Sequence, residues 1–244
     1  MIEDYKEYSQ KLENKERCIK CRENETRKKF IAKDFYGQGK YCPFYGIVFN
    51  QIINSPIDVL IVTEGHGGGS WKEIDDAENA AKEMYDFYIN GNSESGITED
   101  EKEKRRNKYG SPKPYKFDSF HQREIVHLLK KLNNCSWILT DFIHCYVHKK
   151  DIKDATGTIV KGVENIEAAA KNCFPYLIEI IKKFNPKNIV LMGNNVQEWY
   201  KTNVEPTIEK KPKPIKIAFP SQRAADGWCR YGGAECIIEK LTHS

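Results

Sequence analysis

Two sets of residues in this chain have the types and spacing for chemistry. The first is cysteine. Cys18 and Cys21 form a C-x-x-C pair, the spacing at which two thiolates can share one metal. Cys145 closes the apolar stretch WILTDFIHC, and Cys173 lies in a long run of helical periodicity. Four thiolates from three segments can close a tetrahedral zinc site or hold a [4Fe–4S] cube. Cysteines also serve as small buried apolar residues, and Cys145 and Cys173 are open to that reading too. The second set is VLIVTEGHGGG, Val59–Gly69, where an apolar strand runs out into Glu64, His66 and four glycines. Gly65 and Gly67 let backbone amides approach a phosphate or a base more closely than side chains would allow. The plainer alternative is a flexible turn carrying two solvated side chains.

These residues need elements to position them. Short β-rich apolar runs predict strands at 58–63 (DVLIVT), 137–146 (WILTDFIHCY), 188–192 (NIVLM) and 215–219 (IKIAF). Helical spacing predicts helices over 1–17, 71–90, 120–132, 164–184, from 194, and over 231–242. The run 164–184 contains Pro175, so it reads as one interrupted helix or as two. Strands alternating with helices imply an α/β fold with a mostly parallel sheet. Ligands of such sheets bind beyond the carboxyl ends of the strands. Four strand ends, TEGHGGG, TDFIHC, GNNVQ and FPSQR, are then expected to share one crevice.

The chain has 244 residues, of which 39 % are hydrophobic and 30 % charged, with a net charge of +4. That composition suits one globular domain over 1–244, with long loop insertions at about 91–116 and 147–165. The mild basic bias is compatible with a nucleic-acid partner. No apolar run approaches the roughly 18 residues that a membrane span needs, and the polar N-terminus lacks the apolar centre of a signal peptide. A cytoplasmic protein is expected, and there its eight cysteines call for ligation rather than disulfides.

The order of motifs resembles a known family. The C-x-x-C pair precedes a strand ending in Glu and Gly, and a Thr-Asp strand ends near a cysteine. Then come CFPYL from Cys173, NPKNIVLMG from Asn185 to Gly193, and a strand entering Pro220-Ser221. This is similar to the iron–sulfur uracil-DNA glycosylases, family 4 of the uracil-DNA glycosylase superfamily. The likeness covers about residues 18–22 and 58–222. It implies a three-layer α/β/α sandwich around a central, mostly parallel, four-stranded sheet. It also implies hydrolysis of the N-glycosidic bond of a flipped uracil or other deaminated base in single- or double-stranded DNA, by a monomer with a structural [4Fe–4S] cluster. Carried over, the cluster ligands are Cys18, Cys21, Cys145 and Cys173, with Cys42 in YCPFYG in reserve and zinc as the alternative metal.

The same likeness assigns the strand ends. Glu64 matches the family's glutamate and would position water or balance charge at the sugar. Gly65 and Gly67 would bring backbone amides to the DNA. His66 replaces the family's proline. Asp141 replaces the asparagine that reads uracil, and an ionised carboxylate only accepts hydrogen bonds, which suits a base offering N–H donors. Phe219 stands where the superfamily mostly has the histidine of His-Pro-Ser, so His66 is the candidate donor to the departing base. Ser221 completes that motif, Arg223 is expected on phosphate, and Phe117 or Phe120 would stack on the base. Lys102, Lys104, Arg105, Arg106 and Lys108, with Tyr109 nearby, could track a DNA backbone or form a solvated charge run. Two other readings stay open. One is a superfamily member that binds nucleic acid or a nucleotide without base excision. The other is an unrelated α/β protein whose cysteines bind zinc or do redox work.

Overall fold

The computed structural model describes residues 48–49, 55–65, 120–143, 152–153, 159–160, 162–219 and 233–242. The expected helices at 1–17 and 71–90 and the 91–116 insertion lie outside the described residues. The strands are β1 (Val48–Phe49), β2 (Val59–Gly65), β3 (Trp137–Ile143), β4 (Ile152–Lys153), β5 (Ile159–Val160), β6 (Asn188–Met192) and β7 (Lys213–Ile217). The helices are α1 (Phe120–Lys131), α2 (Gly162–Phe184), α3 (Asn194–Trp199) and α4 (Gly233–Thr242). A π-helical turn, Tyr200–Val204, and a 3-10 turn, Glu205–Thr207, extend α3.

The fold class is α/β, as the sequence predicts. Four parallel strands lie in the order β3-β2-β6-β7, and β1 adds a short antiparallel edge to β3. β2, β3 and β6 are near-continuous apolar runs because both of their faces are covered. β7 reads KPIKI and buries only Ile215 and Ile217, the alternation of an edge strand. Its Lys and Pro also discourage pairing with another chain.

Side-chain alternation divides the core into two clusters. Leu60, Val62, Ile138, Phe142, Ile189 and Leu191 pack with α2 and with Val196 of α3. Val59, Ile61, Leu139, Val190, Met192, Ile215 and Ile217 pack with α1 and α4. Truncating the fully buried Leu177 or Ile180 of α2 to alanine is expected to cost about 2–5 kcal/mol.

Pro175 sits inside one continuous helix. Proline removes one backbone hydrogen bond there, but buried positions recur on both sides of it, at Ala169, Ala170, Cys173, Tyr176, Leu177 and Ile180. Burial across the break therefore holds a single α2. The helix ends at Asn185, whose φ of 45° is left-handed and whose N–H bonds Ile181 O at 2.8 Å.

Some boundaries differ from the sequence reading. β3 ends at Ile143 rather than Tyr146, and β7 spans Lys213–Ile217 rather than 215–219. The expected loop insertion at about 147–165 carries a small hairpin, with Ile152 opposite Val160 and Lys153 opposite Ile159. Residues that short give little periodicity to read. Among the described residues no helix is long and apolar enough to cross a membrane.

A polar knot closes the amino end of the sheet. Asp58 Oδ2 accepts from Ser136 N at 2.9 Å and from Ser136 Oγ at 2.8 Å, and Oδ1 accepts from Lys187 Nζ at 2.7 Å. Asn188 Nδ2 donates to the Asp58 carbonyl at 3.2 Å. One aspartate thus joins the starts of β2, β3 and β6.

Candidate functional site

The chain leaves β2 to form β3 on one side, then crosses back past β2 to form β6 on the other. The topological switch point, the place where ligands of such sheets are expected, therefore falls between β2 and β6. Glu64 stands at that point, half-buried at the end of β2. Asn195, in the first turn of α3 just beyond β6, donates from Nδ2 to Glu64 Oε2 at 3.1 Å. The two strand-end segments meet through this bond.

Glycine is required here for reasons of space as well as conformation. Gly65 has φ 149°, and a Cβ on it would lie 3.0 Å from the Ile143 carbonyl oxygen. The backbone passes that close to β3. Gly193 has φ 99° at the β6–α3 turn, and a Cβ there would lie 3.4 Å from Phe219 Cβ. Gly193 and Phe219 are thus close neighbours. Gln197 of α3 strengthens that junction by donating from Nε2 to Ile217 O at 3.0 Å and to Leu191 O at 3.3 Å.

Asp141 is buried in β3 directly opposite Thr63 of β2. Thr63 Oγ1 donates to Asp141 Oδ1 in a short hydrogen bond. Alternation puts Thr63 and Asp141 on the sheet face that packs α1 and α4, whereas Glu64 shares the other face with Leu60 and Val62. The two carboxylates therefore flank the sheet rather than standing side by side. Phe219 is half-buried against the cluster of α1 and α4, a packing role that fits a side chain with no donor. Phe120 is the first residue of α1. His66, Gly67, Phe117, Ser221 and Arg223 lie outside the described residues.

Cys173 is 3 % exposed on the inner face of α2, in the same cluster as Phe142 and Ile143. The end of α2 is tied to the amino end of β2 through Ile57 N and Phe184 O at 3.0 Å. Helix and strand rises then put Cys173 about 16 Å up the sheet, near the carboxyl half of β3. Cys145 follows the end of β3 by two residues in sequence. Cys18, Cys21, Cys42 and Cys145 lie outside the described residues. Among the described residues no group of three or more His, Cys, Asp or Glu side chains could hold a metal ion.

Sequence reasoning missed Asn195 and Gln197. GNNVQ was legible as a strand end, but nothing local marks which of its amides faces β2 and which faces β7. No protein-family model matches the chain, and no curated protein matches it.

Proposed function

We propose that this chain is a DNA glycosylase that hydrolyses the N-glycosidic bond of a flipped, deaminated base. The observation that carries the reading is Glu64, held at the switch point between β2 and β6 by Asn195. A carboxylate fixed at such a switch point can orient water or balance the positive charge that develops on the sugar. Gly65 supports it, because the backbone leaves β2 beside Glu64 in a conformation that favours glycine, packed close against β3. The partner is DNA, met by a cytoplasmic monomer with a modest positive charge.

A [4Fe–4S] cluster on Cys18, Cys21, Cys145 and Cys173 belongs to the same reading. The support for it is the place of Cys173, on the face of α2 that packs with Phe142 and Ile143 of β3, the strand that Cys145 follows in sequence. The cluster would organise the segments around the carboxyl ends rather than take part in bond cleavage.

A second reading has its own observations. Asp141 accepts a hydrogen bond from Thr63, and Phe219 packs on the core. Two positions expected to read the base are thus engaged by the fold, which favours binding of nucleic acid or a nucleotide without excision.

One experiment separates these readings. Anaerobically purified protein is assayed for iron, then offered duplex and single-stranded DNA carrying uracil, hypoxanthine or xanthine. Four irons with abasic-site formation at one base is the expected result. Four irons with tight binding and no cleavage would favour the second reading. Zinc without iron would remove the cluster from the account.

A further inference from the structure

We propose that Asn195 is a positioning residue that holds the Glu64 carboxylate across the switch point. The inference rests on the reading of Glu64 as the acting carboxylate of a glycosylase. The two residues are 131 positions apart in sequence, yet Asn195 Nδ2 lies 3.1 Å from Glu64 Oε2.

What makes Asn195 suited to positioning is the mounting of α3. Val196 is fully buried in the core beneath it. Trp199 packs on Phe142 of β3, with ring centroids 5.4 Å apart. Gln197 donates to the carbonyls of Leu191 in β6 and Ile217, the last residue of β7. A six-residue helix is thus pinned at three successive contacts, and Asn195 projects from its first turn. Glu64, by contrast, is followed at once by the left-handed Gly65. A carboxylate at the end of a strand gains a fixed direction from an amide carried on a well-anchored helix.

The full chain tests this with the three base-containing DNA probes. Asn195→Ala is expected to lower kcat about 10- to 100-fold, with KM within about threefold, because the group acts on orientation rather than on binding. In a Glu64→Gln background the same change is expected to add less than about twofold, since both substitutions act through one carboxylate. Losses that multiply in the double variant would overturn the proposal. If the wild-type chain excises none of the three bases, the glycosylase reading falls, and the positioning is judged by nuclear magnetic resonance. The Asn195 side-chain amide signals should then move on Glu64→Ala. Signals that stay in place would overturn the positioning role as well.

Discussion

At the amino end of the sheet, Asp58 takes hydrogen bonds from Ser136 and Lys187 and joins three strands. At the carboxyl end, Glu64 is bonded to an amide on a separately mounted helix and leads into a left-handed glycine. Both are carboxylates at strand termini, and both have polar neighbours. The difference is what their bonds connect. Asp58 is tied to the backbone and side chain of the strand beside it, so its position is inseparable from the register of the sheet. Glu64 sits at the switch point between β2 and β6, and its bond reaches a side chain on α3 rather than the strand beside it. Burial raises the Asp58 carboxyl, but the bonds from Lys187 and Ser136 outweigh it and leave the group below the usual carboxylate range. A carboxylate committed in that way is a structural clamp, and residue type alone does not distinguish it from a functional one.

The largest effect that would break this contrast is on excision. On the proposed glycosylase reading, Glu64→Gln is expected to lower base removal by at least about 100-fold while leaving the unfolding midpoint and any iron content unchanged, since a group used at the transition state gives losses of that order. An excision assay showing full activity would take Glu64 out of the reaction. Asp58→Ala should do the reverse. It leaves Ser136 and Lys187 without their acceptor, and urea unfolding is expected to show a loss of about 1–2 kcal/mol with little change in excision.

Gly65→Ala should register in both assays. The new methyl meets the Ile143 carbonyl at 3.0 Å in a backbone conformation unfavourable for alanine, so a stability loss of about 1–3 kcal/mol is expected, together with reduced excision. Acid titration sharpens the Asp58 side. Its folded carboxyl titrates below its unfolded one, so its stabilisation is present above the ordinary carboxylate range and is lost as pH falls through the depressed value. Wild type should lose that increment on acidification, and Asp58→Ala should not. The smallest effect belongs to Glu235 on α4, which pairs with Lys131 at 3.0 Å and His127 at 3.3 Å and whose carboxyl is held down to about 2. That side chain is 64 % exposed, so Glu235→Gln should change stability at neutral pH by less than about 0.5 kcal/mol in the same urea experiment.

Much of the scaffold was legible in the residues. β6 falls on the run NIVLM, and α1 and α2 fall close to the helical spacing that predicts them. Such signals are local, because a strand buried on both faces must be apolar throughout and a helix on a sheet must repeat every three or four residues. Gly65 was also legible as a position that needs glycine, although the reason is contact with β3 as well as conformational freedom. Pro175 was not decidable, since whether a helix survives a proline depends on what is buried on either side of it.

By itself, then, the sequence determined the α/β class, the run of parallel strands and the polar groups at their ends, because periods of two and of three to four residues are written in neighbouring side chains. Only the tertiary structure decided which of those groups meet. The placing of β2 between β3 and β6 puts Glu64 beside Asn195 and turns Asp141 to the other face with Thr63. The neighbours of β2 are chosen by burial between segments 78 and 129 residues apart, and no local pattern carries that choice.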